Sequence, residues 1–143
     1  MRQLLFSLFI IGTMMACQQA NNEKLKIKKA MHNYDLHIIS MNVDSIASCY
    51  TENGDLGDIA HGRDSIRRFL SKFANFKVLS QRSISDSVSI DQDTAIQMGI
   101  YRQTVIVSPG DTVLVKGSFR ARWQRQMKGE LWLIRRIDTH PMR

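Results

Sequence analysis

A change of period near residue 78 constrains this 143-residue chain more than any other feature. Before it, apolar side chains recur every three or four positions, as on one side of a helix. After it they alternate, as on a strand. The first helical stripe is Ile27, Met31, Tyr34, Ile38 and Met41, which predicts a helix over residues 24–41. Asn42 then reads as the N-cap of a short second helix, with Asp44 in its first turn and Val43, Ile46, Ala47 and Tyr50 turned inward. Thr51-Glu52-Asn53-Gly54 reads as a break, and residues 55–61 as a short strand with Leu56, Asp58 and Ala60 on one face. Gly62 opens a third helix that buries Ile66, Phe69, Leu70 and Phe73, while Arg63, Arg67, Arg68 and Lys72 face water.

Four strands are expected after the switch, over residues 79–90, 94–107, 112–125 and 131–140. The separating turns are Asp91-Gln92-Asp93, Ser108-Pro109-Gly110-Asp111 and Gln126-Met127-Lys128-Gly129. Strict alternation places Ile84, Val88 and Ile90 on one face of the first strand. On the third strand it places Gly117, Phe119, Ala121 and Trp123 together. Three amphipathic helices followed by a meander define an α+β domain whose sheet must curve around the helices to cover their stripes.

The N-terminus has a different character. Arg2 precedes the apolar run Leu4-Leu5-Phe6-Ser7-Leu8-Phe9-Ile10-Ile11, then Gly12-Thr13-Met14-Met15-Ala16 and Cys17, after which the chain turns polar. This is the build of an export leader, with an apolar run too short for a stable membrane span. The string around Cys17 resembles a bacterial lipobox, with Met14 where leucine is usual. The resemblance implies a signal peptide over 1–16, acylation of Cys17, a tether over 17–23 and a domain over 24–143. Ordinary cleavage near Ala16, leaving Cys17 a thiol, is the other reading. Either way, the domain is expected in the cell envelope, outside the cytoplasm and facing the periplasm.

The net charge is +7, but the cations are dispersed among acids apart from Lys24-Leu25-Lys26-Ile27-Lys28-Lys29. No basic stripe with interleaved aromatics points to nucleic acid. Arg120, Arg122, Arg135 and Arg136 on the last two strands read as a solvated or dimer-facing sheet surface. No pair of histidines has a metal-ligand spacing, no glycine-rich phosphate loop follows a strand, and no cofactor is expected.

Several strings, in this order, resemble the NTF2-like superfamily, particularly its SnoaL-like and DUF4440-like branches. They are Met41-Asn42-Val43-Asp44-Ser45-Ile46, Cys49-Tyr50-Thr51-Glu52-Asn53-Gly54, His61-Gly62-Arg63-Asp64-Ser65-Ile66, and Phe119-Arg120-Ala121-Arg122-Trp123 followed by Leu131-Trp132-Leu133-Ile134. The resemblance implies a cone of three N-terminal helices packed in a strongly curved antiparallel sheet, and a homodimer formed through that sheet. Ketosteroid isomerases share this cone. By that likeness the helix tyrosine falls on Tyr34 and the first-strand aspartate on Asp58, as hydrogen-bond donor and general base. The second aspartate of that family has no counterpart in Gly117-Ser118-Phe119-Arg120-Ala121.

His61, Phe119 and Trp123 are expected to line the pocket with them. The function expected first is binding of a small apolar or acidic ligand by an envelope lipoprotein. The alternatives are an isomerase, cyclase or dehydratase using Asp58 and Tyr34, and an interaction module working through the sheet face.

Overall fold

The computed structural model describes residues 4–108, 110–127 and 131–142, with side chains from residue 18 onward. The side chain of Cys17, with the acylation expected of it, therefore lies outside the described residues. The elements run α1 (Leu4–Ser40), α2 (Val43–Ser48), β1 (Tyr50–Leu56), β2 (Ala60–His61), α3 (Arg63–Ser71), β3 (Lys77–Asp91), β4 (Thr94–Val107), β5 (Asp111–Arg125) and β6 (Trp132–Pro141). The strands form one sheet in the order β2-β1-β6-β5-β4-β3. It is curved and unclosed, with β2 and β3 at its edges. α1 packs along it, chiefly on β3.

The change of period falls where expected. Ile27, Met31 and Tyr34 are buried on α1, and Asn42 caps α2 by accepting from the Ser45 amide at 3.0 Å. Met41 closes α1 with a positive φ, the left-handed turn that separates the two helices. The helix runs unbroken through residues 18–23, where the sequence suggests a tether. Glu23 is fastened to the sheet: it accepts from Trp132 Nε1 at 3.0 Å, pairs with Arg125 at 3.1 Å and takes Lys26 Nζ at 2.9 Å. Arg125 in turn stacks its guanidinium over the Trp132 ring.

Three expectations change. Thr51–Gly54 is not a break but the middle of β1, which pairs with β6 in parallel, so the sheet is mixed. Residues 55–61 are not one strand. Gly57, at φ +51°, turns the chain so that β2 folds back antiparallel on β1. Arg63 does not simply face water, because its guanidinium donates twice to the Tyr50 carbonyl and ties α3 to β1.

β3 holds the fourth difference. Its pairing with β4 shifts between Val78 and Ser80 and again between Ser85 and Ser87. Each shift is a bulge, and each exchanges the two faces of the strand. Val78 points inward, then Gln81, Ser83 and Ser85, then Val88 and Ile90. Ile84, expected on the same face as Val88 and Ile90, is 39% exposed on the other. Gly99 sits opposite the second bulge, where a Cβ would collide with the Ile84 carbonyl. β5 has no bulge against β4, and Gly117, Phe119, Ala121 and Trp123 all point inward.

Candidate ligand pocket

α1, α3 and the concave face of the sheet leave a cavity of about 250 Å³ between them. Its apolar wall is Ile38, Leu56, Leu70, Val115, Phe119 and Ile137. Its polar wall is Tyr34, Gln81, Ser83, Tyr101, Gln103 and Thr139. The Tyr101 ring lies across Gly117, its cross-strand partner, where any Cβ would collide with it. Glycine at 117 therefore allows an aromatic ring to lie flat on the cavity floor.

The two bulges of β3 create the polar wall, because between them the inward positions are glutamine and serine. These side chains meet Asp35, which is only 3% exposed. The Asp35 carboxylate accepts from the Ser83 amide at 2.7 Å, from Ser83 Oγ at 2.8 Å and from Gln81 Nε2 at 3.2 Å. These bonds satisfy a buried carboxylate with neutral donors alone. They also orient the wall. The Ser83 hydroxyl donates to Asp35, which leaves its oxygen free to accept, and Gln81 spends one N–H on the same carboxylate. Sequence reasoning missed Asp35. It directly follows Tyr34 on α1 and reads as the polar flank of the stripe, and its partners become visible only once the bulges turn them inward.

Behind the other end of the cavity, Tyr34 and Tyr50 share a hydrogen bond between hydroxyls at 2.9 Å, their rings edge to face. Burial pushes the Tyr34 hydroxyl up to about 12, against the opposing effect of the Tyr50 bond. It raises Tyr50 as well. Burial likewise raises Tyr101 and lifts the neighbouring Cys49 thiol to about 11. These groups stay protonated at neutral pH and act as donors and acceptors, not as bases.

The expected site residues separate. Tyr34 and Phe119 line the cavity. Asp58 does not. It stands on the turn between β1 and β2, with its side chain 92% exposed, and pairs with Arg136 at 2.8 Å. That hydrogen bond and the guanidinium charge hold its carboxyl below the ordinary range. The inward face predicted for Asp58 assumed an extended chain, and Gly57 bends it away. His61 is also outside the cavity, 68% exposed and bonded to Asp55. Trp123 is buried in the core, where its indole donates to Gln97 at 3.0 Å. Gln97, fully buried, passes its own N–H to Ser85 Oγ at 2.6 Å. Among the described residues, no group of three or more His, Cys, Asp or Glu is placed to hold a metal ion.

A helix-backed, curved sheet enclosing a cavity of this kind is the NTF2-like fold. The chain belongs to the SnoaL-like domain family, whose model matches residues 19–138. Solved structures agree on the fold. A variant of Rv3472, a protein of unknown function from Mycobacterium tuberculosis, is 22% identical and superposes at a TM-score of 0.73, covering 89% of this chain and 76% of its own. An NTF2-like protein with a cystatin-like fold from Novosphingobium aromaticivorans is 16% identical, at a TM-score of 0.72 over 90% and 88%. A nuclear transport factor 2 (NTF2-like) superfamily protein from Salmonella enterica is 12% identical, at 0.71 over 87% and 94%. No curated protein matches the sequence.

Proposed function

We propose that this domain binds a small, uncharged, mainly apolar molecule that carries a hydroxyl or N–H group, and that it does so at the cell envelope, held there by acylated Cys17. The observation that carries the reading is the composition of the cavity wall. Among its described lining residues there is no carboxylate, imidazole or cation, so nothing in contact would neutralise a charged ligand. An acidic ligand is disfavoured for the same reason. The lone pairs of Ser83, fixed by Asp35, are matched to a ligand donor.

Native mass spectrometry of the full-length protein in neutral detergent tests the reading. A neutral adduct should co-purify and should be lost when Val115→Phe fills the cavity, while the unfolding midpoint stays within a few degrees. An adduct that survives the filled cavity refutes this use of the pocket. Intact mass of the same sample should show the leader gone and acyl chains on Cys17. An unmodified thiol there removes the anchor.

A second reading rests on Asp35. This carboxylate lies one hydrogen bond behind Ser83, so a proton leaving a bound hydroxyl has a path through Ser83 to Asp35. Acid–base chemistry on the ligand would then use Asp35 in the place expected for Asp58. Conversion of the co-purified molecule by wild type but not by Asp35→Asn, with binding retained in both, supports it. Identical conversion by both ends it.

A further inference from the structure

Strand residues alternate between faces, and the residues lining the cavity on β3, β4 and β5 are interleaved with three cations. Arg82 lies between Gln81 and Ser83, Arg102 between Tyr101 and Gln103, and Lys116 between Val115 and Gly117. The sheet register pairs Arg82 with Arg102, and Arg102 with Lys116. The three therefore stand side by side on the outer face of the sheet, directly behind the cavity floor, about 5 Å apart on adjacent strands. All three are exposed.

Among the described residues, the adjoining rows on these three strands offer no compensation. The next row on the same face is Ser80, Thr104 and Leu114 on one side and Ile84, Ile100 and Ser118 on the other, with no acid in either. Two more exposed arginines, Arg120 and Arg122, continue the face along β5. Asp138 is the cross-strand neighbour of Arg120, but its carboxylate is held by Arg136.

Elsewhere the arginines are partnered. Arg67 binds Asp44 and Asp64, Arg125 binds Glu23, Arg135 binds Asp55, and Arg136 binds Asp58 and Asp138. By contrast, the side chains of Arg82, Arg102 and Lys116 make no ion pair or hydrogen bond among the described residues. Like charges set directly opposite one another destabilise a sheet. A run of three with no acid beside it among the described residues opposes folding, and a bound anion removes that opposition.

We propose that the Arg82–Arg102–Lys116 row is a binding site for phosphate-bearing anions of two or more charges, with successive phosphate groups lying across the strands and meeting one cation each. The two guanidinium forks suit phosphate oxygens in paired hydrogen bonds, and the lysine supplies a point charge at the end of the row. The phosphates can come from a soluble polyphosphate or from the headgroups of an anionic lipid surface. The site is on the opposite face from the cavity and does not depend on what the cavity holds.

The test uses full-length protein in maltoside micelles at low salt, titrated calorimetrically. One arm adds inorganic tripolyphosphate. The other dopes the micelles with phosphatidylglycerol, with phosphatidylcholine as control. Binding in at least one arm is expected, weakening steeply between 50 and 200 mM salt. The double variant Arg82→Gln/Arg102→Gln should weaken it about tenfold or more. Lys28→Gln/Lys29→Gln, which removes the same charge from the exposed side of α1, should change it less than about twofold.

A response to phosphatidylglycerol alone assigns the lipid source, and a response to tripolyphosphate alone assigns a soluble one. A separate readout is thermal unfolding. Without anion the double variant should melt at or above the wild type, because the repulsion is relieved. Tripolyphosphate or phosphatidylglycerol, whichever binds, should raise the wild-type midpoint and leave the variant's unchanged. Three results overturn the proposal. They are silence in both arms, equal weakening by both charge-matched variants, and a dimer that the Arg82→Gln/Arg102→Gln variant splits in the absence of any anion, which would make the row an interface between copies.

Discussion

β3 and β5 are both fifteen residues long, lie two positions apart in the sheet and turn one side to the same interior. β5 gives that interior a phenylalanine, a tryptophan and two small residues. β3 gives it a glutamine and two serines between aliphatic ends. Composition is only part of the difference: β3 is rich in serine, but it also carries Leu79 and Ile84, and both are exposed. Which of its side chains face inward is set by two extra residues. A bulge costs a strand part of its ladder but lets it change which side chains it shows inside. Here the bulges turn Gln81 and Ser83 inward, and the strand builds the polar wall of a pocket. The mutational consequences of the two strands should differ accordingly.

Trp123→Ala on β5 should have the largest effect, about 3–5 kcal/mol of unfolding free energy by urea titration. It empties a core position and strips Gln97 of its donor. Asp35→Ala, which removes the acceptor that organises β3, should cost about 1–3 kcal/mol, because a buried amide, a hydroxyl and a carboxamide N–H lose their partner together. If this substitution is neutral, the polar wall is not held by Asp35.

Glu23 allows a test by pH. The Lys26 hydrogen bond, with help from Trp132 and Arg125, outweighs burial and holds its folded-state pKa below the ordinary 4.5. Its contribution is complete above pH 4.5 and is lost as pH falls through the lowered value. Melting curves between pH 7 and 3 should therefore fall more steeply for wild type than for Glu23→Gln. The smallest effect should belong to Ile84→Ser, under about 0.5 kcal/mol, although alternation predicts a core residue there. A loss of 1 kcal/mol or more would place Ile84 inside and remove the second bulge.

How much the sequence could reveal follows the same division. The helix-to-strand change, the Asn42 cap, the turn between β3 and β4 and the inward face of β5 all rest on local patterns that no distant contact overrides. Tyr34 and Phe119 were legible as cavity residues for that reason. Asp58 was not, because one left-handed glycine redirects its carboxylate to Arg136. His61 and Trp123 were misplaced by the same assumption, that a residue on the right strand must reach the hollow. The parallel pairing of β1 with β6 joins segments some eighty residues apart and leaves no local trace. Asp35 was invisible because its meaning lies in Gln81 and Ser83, and these turn inward only through bulges that a serine-rich strand does not announce.

Gln97 accepts from the β5 tryptophan and donates to a β3 serine, so both ends of its buried amide are engaged. If β3 slid by one position so that the outward-facing Ile84 met that amide instead of Ser85, its N–H would be left stranded. The three-strand thread thus disfavours that slip of β3 against β4. The alignment it favours is the one in which Gln81 and Ser83 give the hollow its polar side.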